Sequence, residues 1–166
     1  MNFKTDNRSL RLATGLAKNP ITHKEALHIL SHYPHPSVRY EVASNKNTHQ
    51  DTLHKLSDHT DSLNTWRVRR SVARHNNTHQ DTLHKLSDPL NTWQVRREVA
   101  RNNNTHKDTL HKLSDDLDEY VRYRVALNNN THNAVAENKN THQDTLHKLS
   151  DDPNLSVRRG VASHKN

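Results

Sequence analysis

The sequence predicts an all-α protein, an α-solenoid of about five 26-residue two-helix repeats plus one truncated repeat, and three observations predict it. The dodecapeptide NTHQDTLHKLSD stands verbatim at 47–58, 77–88 and 140–151, and again at 104–115 with Lys107 as its single change. A Val-Ala or Leu-Ala pair recurs with its alanine at Ala17, Ala43, Ala73, Ala100, Ala126, Ala136 and Ala162, at spacings of 26, 30, 27, 26, 10 and 26. Apolar residues fall in the same register in every copy, although they make up only 30% of a chain with a mean hydropathy of −1.17. A period of about 20 to 50 residues marks an array in which each copy buries its apolar face only against its neighbours. That register separates a thin ordered core from disorder.

Within one copy, the VRRxVA segment sets two valines at i and i+4, as in Val68 and Val72 or Val95 and Val99, which is one stripe of a short helix. Asparagines follow at Asn45, Asn76, Asn102, Asn128 and Asn138. Asparagine tolerates the left-handed backbone that ends many helices, so the first helix is expected to stop there with a positive φ. A second helix is expected to open on a capping box, Thr48 accepting from the backbone at Asp51, with Thr78 and Asp81, Thr105 and Asp108, and Thr141 and Asp144 repeating the pattern. Leucines at i and i+3, such as Leu53 and Leu56, then face the core. Helices this short are marginal alone, so stacking is obligatory.

These elements resemble the leucine-rich repeat variant family, related in shape to HEAT repeats. VRRxVA, Asn, Thr, LxxL and Asp recur in order over about residues 10–164, the first copy being the weakest with Leu12, Leu16, Asn19, Thr22, Leu27 and Leu30. The resemblance implies a right-handed superhelix of alternating short helices, one of them of 3₁₀ type in some cases. Some members carry an iron-sulfur cluster held by cysteines. This chain has no cysteine, so no cofactor carries over.

The absence of cysteine also leaves no disulfide framework or thiolate site, and no apolar run near 18 residues offers a membrane span or a signal peptide. A cytoplasmic chain is the simplest reading. One domain, 1–166, is expected, with a polar N-terminal cap over 1–9, the array over 10–166 and the truncated unit near 127–140. Asp58 to Thr65 is the most loop-like stretch. The cut between Ala126 and Ala136 is expected to cost one layer most of a helix pair, leaving a notch near Val135 and Ala136 or simply a scar of recombination.

Charge points to partners. With 25 Lys and Arg against 18 Asp and Glu, the net charge is +7 before any of the 16 histidines protonates, and such a balance favours anions. Stacking turns recurring positions into rows: Lys55, Lys85, Lys112 and Lys148 in one, and Arg70, Arg97 and Arg159 in another, with Arg74 and Arg101 close by. Layers about 9 Å apart would offer a nucleic acid several cations at once. The first arginines, Arg39, Arg69, Arg96, Arg122 and Arg158, instead suit a structural ladder with Asp58, Asp88, Asp115 and Asp151. Trp66 and Trp93, with Tyr120 offset by one, either pack on the next layer or form a base-stacking platform beside the arginines.

Two histidine rows, His49, His79, His106, His142 and His54, His84, His111, His147, raise a metal reading. Residues five apart point about 140° apart on a helix, which is poor geometry for three or four ligands on one ion. No dedicated metal site is expected; a pH response fits the rows better. The reading that results is a non-catalytic binding scaffold for DNA or RNA. The alternatives are a protein adapter for an acidic surface and, more weakly, a HEAT-like DNA glycosylase for which no catalytic motif stands in the sequence.

Overall fold

The computed structural model describes residues 6–58, 65–133 and 141–163, and every regular element among them is helical. The helices are α1 (Asn7–Lys18), α2 (Lys24–Leu30), α3 (Pro36–Ser44), α4 (Gln50–Ser57), α5 (Thr65–Arg74), α6 (Gln80–Leu86), α7 (Trp93–Arg101), α8 (Lys107–Leu113), α9 (Glu119–Ala126), α10 (Asn129–Asn133), α11 (Thr141–Ser150) and α12 (Leu155–Ala162). None is long and apolar enough to cross a membrane. Contacts gather the chain into two units, Met1–Thr82 and Leu83–Asn166, with α6 running over the boundary.

In the first unit the first helices of successive repeats, α1, α3 and α5, pack side by side, and α2 and α4 line the other layer. In the second unit α7, α9 and α12 form the corresponding row, with α8 and α11 beside each other behind it. The core lies between the layers. Val38, Val42, Val68 and Val72 meet Leu27, Leu53 and Leu56 in the first unit, all within 1% of complete burial. Val95, Val99, Val121 and Val125 are buried with Leu110 and Leu113 in the second, all within 2% of complete burial.

The sequence anticipates the helices but not how they end. Among the described residues no non-glycine residue has a positive φ: Asn45 sits at φ −78°, ψ 125° and Asn102 at φ −71°, ψ 131°. The left-handed cap is therefore replaced by extended backbone, and the asparagine side chain finds its use elsewhere. Asn45 Nδ2 donates to Ala17 O and Asn19 O, both at 2.8 Å, in the preceding repeat. Asn128 does the same to Ala100 O (2.7 Å) and Asn102 O (3.1 Å). Two residues on, Asn47 and Asn130 add a second stitch to preceding carbonyls. A primary amide has two donors, which suits two helix-end carbonyls that would otherwise lack partners.

The capping box is also corrected. Thr48 is fully buried and donates to Val42 O at 2.6 Å, and Thr22, Thr78, Thr105 and Thr131 repeat this bond to the residue six before. The cap is the next residue: His49 and His106 are N-caps whose Nδ1 accepts from the backbone N–H of Asp51 and Asp108, and His79 makes the same bond to Asp81. The aspartates lie beside those rings, so the second helices carry a negative charge in their first turn, as the helix dipole favours. At the far end, Ser31, Ser57, Ser87, Ser114 and Ser150 donate to the carbonyl three residues before.

The helices on either side of the truncated unit are described. α9 and α12 pack as consecutive first helices, so closely that a Cβ on Gly160 would stand 3.1 Å from the Ala126 Cβ. α11 takes the second place of that repeat, and His111 Nδ1 meets Thr145 Oγ1 at 2.6 Å. Val135, Ala136 and Asn138 lie outside the described residues, as do most of the Asp58–Thr65 stretch and Met1 to Thr5. Of the expected polar cap, Asp6 is seen to cap α1, its Oδ1 accepting from Arg8 and Ser9 N–H.

Candidate nucleic-acid interface

Each first helix presents one outward stripe. Trp66, Arg70 and Arg74 stand at i, i+4 and i+8 on α5, and Trp93, Arg97 and Arg101 do so on α7. At about 100° per residue this stripe lies opposite the buried valines, which are about 160° to 200° away. Indole and guanidinium are in contact within it: the Arg97 guanidinium lies 5.7 Å from the Trp93 ring centre. On α5 the contact is made by Arg67, 5.6 Å from the Trp66 ring. The Trp93 ring also faces Tyr120 of the next repeat, 5.8 Å away and tilted by 30°.

The column through the second arginine holds residues that arginine counting alone overlooks. Tyr40 on α3 shares the position of Arg70 in the first unit, and Tyr123 on α9 lies between Arg97 and Arg159 in the second. Arg124 lies 5.7 Å from the Tyr123 ring. The signal was present in VRYEVA and VRYRVA, where tyrosine replaces the second arginine of VRRxVA.

Neutralisation is uneven along this face. Glu98 is 1% exposed and lies 3.0 Å from the Arg97 guanidinium and 3.7 Å from that of Arg101, so both cations are drawn toward one carboxylate. Arg74 and Arg159 are exposed, and Arg70 is half-buried and engaged in contacts of its own. The lysine row stands on the other layer, on α4, α6, α8 and α11, with the core between it and the arginines in each unit. Its members lean back to the preceding repeat: Lys55 to the His32 ring, Lys112 to Ser87 Oγ at 3.3 Å, and Lys148 to Asp115. Lys85 is engaged as well. The structure thus joins the tryptophans to the arginines and separates both from the lysines.

Two of the first arginines, Arg96 and Arg122, pair with an acid other than the one expected. Arg96 Nε and Nη2 donate to Asp116 at 2.6 and 2.9 Å, and Arg122 donates to Asp152 at 2.5 and 3.2 Å. These acids lie one residue beyond Asp115 and Asp151 and belong to the following repeat, because the helix-ending residue points to solvent while the next turns inward. Three guanidiniums hold loop carbonyls five and six residues before them, Arg122 on Asp116 O and Leu117 O, Arg158 on Asp152 O and Pro153 O, and Arg39 on Tyr33 O and Pro34 O, while Arg96 reaches Asn91 O and Pro89 O and Arg69 donates to Ser57 O. Hydrogen bonding to Asp116 and Asp152 raises the pKa of Arg96 and Arg122 against their partial burial. Burial works against the Asp152 carboxylate, but bonds from Arg122 and the Asn154 N–H outweigh it and hold its pKa below the ordinary range.

The histidine rows also lie within the structure. His28, His54, His84 and His111 place Nδ1 at 3.0, 2.8, 3.0 and 2.6 Å from the hydroxyls of Thr52, Thr82, Thr109 and Thr145 one repeat on. His49, His79 and His106 are the caps described above. Among the described residues no group of three or more His, Cys, Asp or Glu is placed to hold a metal ion.

No family model matches the chain, and no curated protein matches it in sequence. Solved structures do match. A designed armadillo repeat protein aligns at a TM-score of 0.53 with 17% identity, covering 96% of this chain and 93% of that one. An engineered protein of the Northeast Structural Genomics Consortium aligns at 0.51 with 16% identity, covering 96% and 91%. The fold is an α-solenoid.

Proposed function

We propose that the chain is a non-catalytic binding scaffold whose first-helix face takes a polyanionic partner, DNA or RNA. The observation that carries this reading is the Trp93, Arg97 and Tyr120 cluster, repeated in outline by Trp66 with Arg67 and Arg70. Aromatic rings flanked by guanidinium groups offer stacking to bases and charge to phosphates on one surface. Exposed Arg74 and Arg159, with a net charge of +7, support the choice of partner. The lysine row, Lys55, Lys85, Lys112 and Lys148, stands on the second helices, and its part in binding is proposed as secondary to that of the arginine stripe. The finer family reading, a leucine-rich repeat variant, rests on the VRRxVA, Asn, Thr, LxxL order; a chain without cysteine suits the cytoplasm.

A salt-series titration tests this with random duplex, single strand and RNA. Affinity should fall by about a thousandfold or more between 50 and 200 mM salt if six or so phosphates are contacted. Reversing Arg70, Arg97 and Arg159 to glutamate should reduce both affinity and slope, and Glu98→Gln should tighten binding by releasing Arg97 and Arg101. Unchanged binding by the triple variant overturns the reading. The second reading, an adapter for an acidic protein surface, draws on the same Glu98 pairing, which lowers the charge density a nucleic acid would meet. A stoichiometric protein complex that survives high salt would favour it.

A further inference from the structure

The first repeat differs from its copies on the side that faces backwards along the array. Thr52 meets His28 of the repeat before it, and Lys55 reaches back to His32, so these register positions point to the preceding layer. In the first repeat the same positions hold Ala26 and Ile29. The valine pair behaves alike: Val38 and Val42 are fully buried, with α3 packed on α1, while their counterparts on α1 are Leu12 and Leu16, 61% and 56% exposed. Ile29 is 43% and Ile21 84% exposed. Backward positions that carry threonine and lysine in later copies are thus apolar and exposed here. Several exposed apolar residues on one face mark an interaction surface.

What the face accommodates is set by how the equivalent face is filled one repeat on. There α3 packs on the small-residue side of α1, where Ala13 and Ala17 are buried, so the natural occupant is a helix. Gly15 lies beside Leu12 and Leu16 with no atom within 4 Å of where its Cβ would be, leaving room for close approach. Arg8 and Arg11 are exposed on the same helix, about 40° and 100° around it from Leu12. That rim selects acids. A second copy of this chain is a poor match, since it carries +7 and its own last helix offers Arg158 and Arg159.

We infer that the backward face of α1 and α2, centred on Leu12, Leu16 and Ile29, is a docking surface for an acidic amphipathic helix of another protein. Its leucines and isoleucine bury the apolar side of that helix, and Arg8 and Arg11 meet its carboxylates. This surface is separate from the arginine and tryptophan stripe and does not depend on it.

The probe is a dye-labelled, acetylated peptide of about 18 residues with leucines at i, i+3, i+4 and i+7 and glutamates on both flanks. Fluorescence anisotropy should show saturable binding that weakens with salt, and Leu12→Asp with Leu16→Asp should reduce affinity at least tenfold. Both leucines are exposed, so unchanged helical circular dichroism and an unchanged urea midpoint will show that the fold survives. No binding to the wild-type chain overturns the proposal. So does equal binding of a peptide with lysine in place of glutamate, or an affinity that ignores the double substitution. Binding to phosphatidylserine vesicles but not to the peptide would assign the face to a membrane, and concentration-dependent self-association lost in the double variant would assign it to a second copy. Either result overturns it.

Discussion

One register position is filled by His75 in the first unit and by Asn128 in the second, and the two joints differ in chemistry although the backbone does not. Asn128 reaches two carbonyls of the preceding repeat and accepts from its own loop, where Oδ1 takes the Asn130 N–H at 2.9 Å. His75 makes the corresponding contacts with a ring: Nε2 donates to Asn45 O at 2.8 Å, and Nδ1 accepts from the Asn77 N–H at 3.0 Å. These contacts require the neutral ring, protonated on Nε2 alone. Burial accordingly pushes the His75 pKa down, against the bond to Asn45 that raises it. An amide stitches a joint at any pH, whereas an imidazole does so only while it is uncharged.

The largest effect should come from the acid that strengthens the second unit's joints. Asp152→Ala leaves the Arg122 guanidinium, whose side chain is 15% exposed, without its carboxylate, and should cost about 3 kcal/mol, read as a shift of the urea midpoint. Because the Asp152 pKa is lowered on folding, the pair's contribution is complete above about pH 4 and is lost as pH falls through the folded value. The difference between wild type and variant should therefore shrink in acid; a difference that persists unchanged at pH 2 would break the account.

Next in size is Asn128→Ala, which strands two carbonyls and one N–H at a residue 4% exposed. A loss of about 2 kcal/mol is expected, detectable in the same titration and as faster amide exchange at Asn130. The smallest effect sharpens the comparison most. His75→Asn should change stability by less than about 1 kcal/mol at pH 8, since the other joint shows that asparagine serves there. Wild type should lose stability relative to the variant as pH drops below about 6.5, because the unfolded chain then binds the proton that the folded ring resists. Parallel pH profiles of the two proteins would remove His75 from any pH response.

Much of the fold was legible because repetition averages the signal. A single VRREVA could start a helix in many folds; five copies in one register fix its buried side. The tryptophan and arginine stripe was legible for the same reason, since i, i+4, i+8 spacing survives any arrangement of the layers. Glu98 was not. An acid beside an arginine in sequence reads as a solvated face, and only the packing of α7 shows it buried between Arg97 and Arg101.

The sequence by itself determined the helices, their period and the residues that form the core, because hydrophobic spacing and local hydrogen bonding act over a few residues. Tertiary structure alone decided what the polar residues do. Asn45 became a stitch and not a left-handed cap, Thr48 an internal tie and not a helix start, and Asp116 the arginine's partner in place of Asp115. Each outcome depends on which carbonyl or guanidinium the neighbouring repeat brings within about 3 Å, a distance no period in the sequence can state.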